Sequence, residues 1–178
     1  MASQLTSAQK IALKNHILAN TANVQLTAGV NTQIKDVPQI PDNAPTVRDW
    51  YNLAASPSFT VWKKLLSLSL IGKAFNGTEL AGLTTANLQR LQTIGQYSVE
   101  GINPSLADQR QFFNDVFSGS GGTITRASLL ALWKSVASNA KKLFSTGTGS
   151  DADPAVTDSN VSDTFTLTSD DVVAAWAA

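Results

Sequence analysis

The sequence predicts a mainly α fold, a helical bundle built around one central helix in the C-terminal half of the chain. An apolar stripe at helical spacing runs through residues 123–145, and several other segments begin with helix-capping Ser or Thr residues. The chain has 178 residues, of which 43% are hydrophobic, enough for one core. We therefore expect a single domain over residues 1–178, with a helical core at about 1–20 and 46–146. An extended Pro-rich arm at about 21–45 and a small β-hairpin with a short helix at about 150–178 complete the prediction.

The predicted central helix carries the longest uninterrupted apolar pattern in the chain. Gly121 and Gly122 precede it, and the glycines of segment 146–149 end it. Lys141 and Lys142 lie in its last turn, where cations complement the helix dipole. Its bulky residues recur every three or four positions, so we expect one core-facing stripe. These residues are Leu129, Leu132, Trp133, Val136, Ala140, Leu143 and Phe144.

The other predicted helices share a Ser or Thr at the N-cap position. Their caps are Thr6, Thr46, Ser58 and Ser105, and a further helix is expected to start in Thr84-Thr85-Ala86-Asn87. In the first helix Gln9 occupies the capping-box position, and the helix is expected to end near Asn20. A short helix is expected over residues 47–55. For residues 59–66 we expect a helix, although the β-branched and aromatic residues there also favour a strand.

Two segments are predicted to have few anchors within their own subunit. Residues 20–45 are polar and contain three prolines, which cannot donate backbone hydrogen bonds. Residues 151–168 are rich in Ser, Thr and Asp, with alternating apolar residues that indicate a hairpin. Ordering a residue costs about 1–2 kcal/mol of backbone entropy, so we expect both segments to become ordered by docking onto other chains. The side chains expected to face partners are Ile34, Val37, Ile40, Phe165, Leu167 and Trp176.

Charge and residue usage argue against several functional classes. Lys+Arg and Asp+Glu are both 13 and only 15% of the chain is charged, so no basic stripe for nucleic acid is visible. Without cysteine and with His16 as the single histidine, neither a zinc site nor a cysteine- or histidine-based catalytic centre is expected. The first residues lack the pattern of a signal peptide, and no apolar run reaches membrane-spanning length. We expect a soluble protein that uses no cofactor.

The order of several motifs is more informative than any single residue. They are Leu5-Thr6-Ser7-Ala8-Gln9, Ala55-Ser56-Pro57-Ser58-Phe59-Thr60-Val61-Trp62, Gly82-Leu83-Thr84-Thr85, Ile102-Asn103-Pro104-Ser105 followed by Arg110, Thr125-Arg126-Ala127 and Lys142-Leu143-Phe144-Ser145-Thr146-Gly147-Thr148-Gly149. Through these motifs the chain resembles a family of virion structural proteins of tailed bacteriophages. The resemblance covers most of the chain in order and departs from the family at residues 20–45 and 156–166. Its most specific part is the last motif.

The resemblance implies a non-enzymatic part of the virus particle, with no catalytic residue, cofactor or metal. The role it implies is a head-to-tail connector, an adaptor ring of identical subunits, commonly twelve, seated under the portal protein. Its partners would be copies of itself, the portal, and tail or stopper and terminator proteins, with no membrane. Genomic DNA would pass nearby without sequence-specific binding. The protein would be located in the virion neck after assembly in the host cytoplasm.

Two alternative functions stay open at this point. A capsid decoration or tail-completion protein would share the same structural character, and a portal or capsid gene next to this one would favour the neck. A small hydrolase or nucleic-acid-binding module is the alternative from another class. It has little support, because the sequence displays neither an activated nucleophile nor a basic stripe.

Overall fold

The computed structural model of the chain describes residues 3–27, 30–98 and 100–178, which fold as two compact units. The terminal unit comprises Met1–Phe59 and Val136–Ala178, and the central unit comprises Thr60–Ser135. Both consist mainly of helices, which confirms the predicted mainly α class. Within the described residues, no helix combines the length and apolar character required to cross a membrane.

The elements are numbered along the chain. The helices are α1 (Ser7–Ala19), α2 (Ile40–Asn52), α3 (Leu68–Lys73), α4 (Gly77–Ala81), α5 (Thr85–Tyr97), α6 (Ala107–Val116), α7 (Thr123–Trp133), α8 (Asn139–Leu143) and α9 (Ser169–Trp176). The strands are β1 (Asn23–Thr27), β2 (Val30–Gln33), β3 (Thr60–Trp62), β4 (Lys134–Val136), β5 (Ser145–Thr146) and β6 (Val156–Thr157). Short 3₁₀ turns lie at Ile34–Asp36 and Ser120–Gly122. The strands pair two by two, β1 with β2, β3 with β4 and β5 with β6.

In the terminal unit, α9 packs against both α1 and α2. The predicted capping box of α1 is confirmed, since the Thr6 hydroxyl accepts from the Gln9 amide and the Gln9 side chain accepts from the Thr6 amide. The buried Asp171 carboxylate of α9 accepts hydrogen bonds from Ser3 and Gln4, which precede α1. The beginning and the end of the chain are therefore tied together by a buried polar contact as well as by apolar packing.

The predicted Pro-rich arm is a folded part of this unit, with a strand pair followed by a helix. Pro41 lies in the first turn of α2, where the missing N–H has no helical partner to lose. Pro45 also lies within the helix, which the burial of Ile40, Ala44, Val47 and Tyr51 along one face stabilises. The prediction of an extended arm, and of a helix that starts only after Thr46, is wrong because this stripe outweighs the two prolines.

The predicted C-terminal hairpin is present only as a short strand pair. β6 pairs antiparallel with β5, which lies before the predicted hairpin rather than within residues 151–168. Farther on, the chain is irregular, and Asn52 binds both the amide and the carbonyl group of Leu167, at 2.9 and 3.0 Å. A side chain of α2 thus supplies the backbone partner that a second strand would have supplied.

The central unit has its own apolar core. Phe113 and Phe117 from the end of α6 pack with Leu129 and Trp133 of α7. At its edge β3 pairs with β4, and the Lys63 amide donates to the Trp133 carbonyl at 2.8 Å. The helix expected over residues 59–66 is therefore wrong, since the β-branched and aromatic residues there form a strand. Ser105 is not the cap of α6, which begins after Leu106.

The single central helix expected over residues 123–145 is also wrong. Helix α7 ends at Trp133, β4 follows in extended conformation, and the Ser138 side chain caps a separate helix α8. Leu129 and Trp133 belong to the core of the central unit, whereas Ala140 and Phe144 belong to that of the terminal unit. An apolar stripe that looks continuous in the sequence is thus divided between two cores.

Candidate partner surface

The residues predicted to face partners are mostly buried within the terminal unit. Five of the six have between 0 and 6% of their surface exposed: Ile34, Val37, Ile40, Phe165 and Leu167. They join the same core cluster as α1, α2 and α9, so the expectation that they need another chain to become buried is wrong. The sixth, Trp176, is half-buried against this core, and its role towards a partner stays a prediction.

His16 forms a structural contact at the edge of the terminal core. Its Nδ1 lies 2.6 Å from the Tyr51 hydroxyl oxygen. Burial and the positive charge of Lys142 lower the pKa of His16, which favours the neutral imidazole. Burial raises the pKa of Tyr51, so the phenol keeps its proton. Among the described residues, no group of three or more His, Cys, Asp or Glu side chains could hold a metal ion.

Helix α5 in the central unit is weakly anchored. It begins after Thr84, whose hydroxyl accepts from the Asn87 amide at 3.3 Å, and it spans 13 residues. None of those residues is buried. Its anchors are the partly buried Leu91 and Ile94, together with a hydrogen bond from the Asn87 side chain to the Val116 carbonyl at 2.9 Å. Most of its circumference is left to solvent or to a partner.

The exposed face of α5 borders a groove of about 400 Å³. Apolar and aromatic side chains form much of it, notably Tyr97, which is 84% exposed, and Phe112 of α6. Arg90 is the only charged residue in its lining. The groove is lined by Ala86, Gln89, Arg90, Thr93, Ile94, Tyr97, Ser98 and Phe112. We call this face the α5 surface.

The packing beneath α5 is also incomplete. A second, apolar pocket of about 160 Å³ lies between α3, α5 and α6, next to Leu91 and Gly95. Close packing normally leaves few voids of this size under a core helix. The helix is therefore held by few contacts on its inner side and presents aromatic and uncharged polar groups on its outer side.

The α5 surface is suited to binding a protein rather than to catalysis. Tyrosine is enriched at the energetic centres of interfaces because it buries a large area at low entropic cost. Helical spacing alone does not distinguish Tyr97 from the other residues of α5. One sequence signal was available: the polar positions of α5 are occupied largely by Gln and Thr, and Arg90 is its only charged residue. Interfaces favour this depletion of charge.

Comparison of the chain with protein-family models, with curated proteins and with solved structures finds no match.

Proposed function

We propose that the chain is a non-enzymatic structural subunit of a tailed-bacteriophage particle. In this proposal it forms an adaptor ring, commonly of twelve copies, that docks on the portal and joins it to the tail. Genomic DNA passes near the ring without sequence-specific binding. The observation that carries the proposal is the α5 surface, a helical face with little intramolecular packing on a chain whose motifs resemble virion proteins.

The motif with the most specific resemblance has a structural role in the terminal unit. Phe144 is buried in the core, and Gly147 and Gly149 adopt φ values of +123° and +66°. A Cβ atom on Gly149 would collide with the ring of Phe59, so the backbone there requires glycine. The residues that carry the resemblance are thus ones that shape the fold, as expected for a family with no shared catalytic centre.

The α5 surface supports contact between copies or with the portal in particular. A closed ring is built from heterologous contacts in which two different patches of each subunit meet. A nearly uncharged helical face with aromatic groups can form one such patch without like-charge repulsion between identical chains. The zero net charge of the chain is compatible with dense packing of many copies.

The proposal is tested by complementing a phage that lacks this gene with variants of the chain. The substitution Tyr97→Ser should prevent incorporation into particles, while the isolated chain keeps its stability within about 1 kcal/mol. Quantitative mass spectrometry of purified particles gives the copy number, and cryo-EM gives its position. We expect the wild-type chain between portal and tail.

A matched control alters exposed aliphatic residues elsewhere. Ile11 and Leu18 of α1 are 52% and 49% exposed, so Ile11→Ser with Leu18→Ser removes comparable surface from the terminal unit. That variant should be incorporated normally. Absence of the wild-type chain from purified particles would refute the structural role. Density on the outer capsid surface would instead identify a decoration protein.

A further inference from the structure

A cleft in the central unit gathers hydrogen-bond donors and contains no acidic side chain. Its volume is about 310 Å³. The donors come from β3, α6 and α7, and none of the lining residues is Asp or Glu. The cleft is lined principally by Trp62, Arg110, Asn114, Arg126, Leu130 and Trp133.

Arg110 is held in a fixed orientation at one wall. Its guanidinium carbon lies 4.2 Å from the centre of the Trp62 ring, a cation–π stack. Its Nη1 donates to the Pro104 carbonyl at 2.5 Å. A guanidinium carries five N–H donors in a planar fork, so this bond leaves most of them available. The stack and the carbonyl contact therefore preorganise the fork.

Arg126 supplies a second guanidinium, which donates through Nη1 to the Phe117 carbonyl. Within the part of the chain that the structure describes, neither arginine forms an ion pair. The acids that influence these arginines electrostatically are Asp108 and Glu79, and neither lines the cleft. The Glu79 oxygens instead accept from the backbone amides that begin α7, at 2.7 and 2.9 Å.

Trp133 forms a buried part of the cleft wall. Trp133 is 3% exposed, and its Nε1 has no hydrogen-bond acceptor among the described residues. Buried tryptophans usually place this N–H against an acceptor, because an unsatisfied buried donor is costly. The Nε1 atom is shielded from solvent, so Trp133 serves as a reporter beside the cleft and not as a donor to its ligand.

We propose that this cleft binds a carboxylate, presented by an acidic side chain of a partner protein. The planar carboxylate matches the guanidinium fork and accepts several hydrogen bonds at once. Trp62 and the exposed Leu130 offer apolar surface to the methylene groups of a glutamate or to its neighbours. The inference stands apart from the connector role and does not depend on it.

The size and charge of the cleft favour a single acidic side chain over a nucleic acid. Nucleic-acid binding requires a series of cations that follow successive phosphates. Among the described residues, the two arginines are the only cations in the lining, and the chain has equal numbers of acidic and basic residues. A pocket of this volume fits one side chain.

The test uses the full ¹⁵N-labelled chain and the indole N–H resonance of Trp133, assigned with Trp133→Phe. Titration with N-acetyl-glutamate N-methylamide should shift this resonance progressively to saturation. The glutamine analogue should leave it unchanged, since it has the same shape without the charge. Inorganic phosphate should bind more weakly than the capped glutamate.

Arg110→Gln and Arg126→Gln should each weaken binding of the capped glutamate about tenfold or more, the equivalent of one charge-assisted hydrogen bond. Arg90→Gln is the control, because Arg90 is an exposed arginine of the same unit on the α5 surface. It should bind like the wild type. If Arg110→Gln fails to fold, Arg126→Lys, which keeps the charge and loses the fork, should still weaken binding.

The proposal is overturned if the wild-type Trp133 resonance does not respond to the capped glutamate. It is also overturned if the glutamine analogue shifts the resonance equally or if phosphate binds as tightly. Recognition by the cleft is likewise excluded if Arg90→Gln weakens binding of the capped glutamate as much as Arg126→Gln does.

Discussion

Helices α1 and α5 have the same length and the same type of cap, but they differ in how they are held. Each has 13 residues and follows a threonine whose hydroxyl accepts from the third helical amide. Helix α1 buries Gln9, Leu13 and Ile17, whereas α5 buries none of its residues. The length and cap of a helix therefore do not predict how much of the helix is buried within its own subunit.

Polar contacts enlarge the difference. Besides its capping role, the Gln9 side chain of α1 binds Asp158 and Asn160 at 2.9 and 2.8 Å. The residues before α1 bind Asp171 of α9. Helix α5 has one comparable link, from Asn87 to the Val116 carbonyl. The terminal unit thus holds α1 by packing and hydrogen bonds together, and α5 retains a face free for other contacts.

The largest expected effect on stability comes from a Leu→Ala substitution in α1, and the same substitution in α5 serves as its comparison. Leu13 is 0% exposed and Leu88 is 37% exposed. Leu13→Ala should lower the free energy of unfolding by about 3–5 kcal/mol, because it leaves a cavity in a packed core. Leu88→Ala should cost less than about 1 kcal/mol. Urea denaturation followed by circular dichroism measures both, and similar losses would contradict the proposed difference.

Substitution of Asp171 tests how much hydrogen bonds contribute to the anchoring of α1. Its side chain is fully buried and accepts from Ser3, Gln4 and Thr168. Asp171→Asn should cost about 2–4 kcal/mol, since it removes the charge and leaves donors unsatisfied. The neighbouring Asp170→Asn is the control, because it changes the same charge near the same helix N-terminus, and we expect it to cost less than about 1 kcal/mol.

The effect of Asp171 should also depend on pH. Burial would raise the pKa of Asp171, but hydrogen bonds from Thr168, Ser3 and Gln4 outweigh it and hold the pKa below 3.8. A carboxyl with a lowered folded-state pKa stabilises the protein above its unfolded pKa and loses that contribution as pH falls further. The stability difference between wild type and Asp171→Asn should be constant near neutral pH and shrink below about pH 3.9. A constant difference down to pH 2 would contradict this assignment.

Capping residues alone do not predict where helices begin, since Thr46, Ser58 and Ser105 are not N-caps in the structure. Thr6 caps α1 as predicted, because a cap acts on amides within its own turn, and the helix predicted to start in residues 84–87 is α5. The break after Trp133 was missed since each half of the apolar stripe satisfies helical spacing separately. Helix α2 is not predictable from its prolines, since Pro41 and Pro45 disfavour a helix and the buried stripe that stabilises it becomes apparent only in the fold.

The two proposed binding regions could not be found from sequence for a different reason. The α5 surface depends on which elements fail to pack against Tyr97, and helical periodicity does not predict that. The cleft depends on residues from three separate elements, including Arg110 and Arg126, which meet only after folding. A single sequence contains no record of such proximity.

Hydrogen exchange should distinguish the two helices in the isolated chain. Amides near the middle of α1 should be protected by nearly the full free energy of unfolding, because exposing them disrupts the terminal core. The amides of α5 should exchange at least about tenfold faster, since local opening of α5 breaks few buried contacts. Mass spectrometry or NMR provides the measurement. Assembly should slow exchange in α5 much more than in α1, and equal protection in the isolated chain would contradict the weak anchoring of α5.

The smallest expected effect comes from Gly95, in the second half of α5. A Cβ atom at this position meets no heavy atom within 4 Å, so alanine introduces no clash. Glycine in a helix interior is less favourable than alanine by about 0.5–1 kcal/mol, because the unfolded chain loses more freedom on folding. Gly95→Ala should therefore stabilise the isolated chain by about that amount.

Gly122→Ala is the control, and its expected change in stability has the opposite sign. A Cβ atom at Gly122 would collide with the Phe117 carbonyl, so this variant should destabilise the central unit. Thermal denaturation of both variants shows whether each substitution raises or lowers the stability. A neutral or destabilising Gly95→Ala would mean that α5 is not formed in the isolated chain and that the α5 surface exists only once a partner is bound.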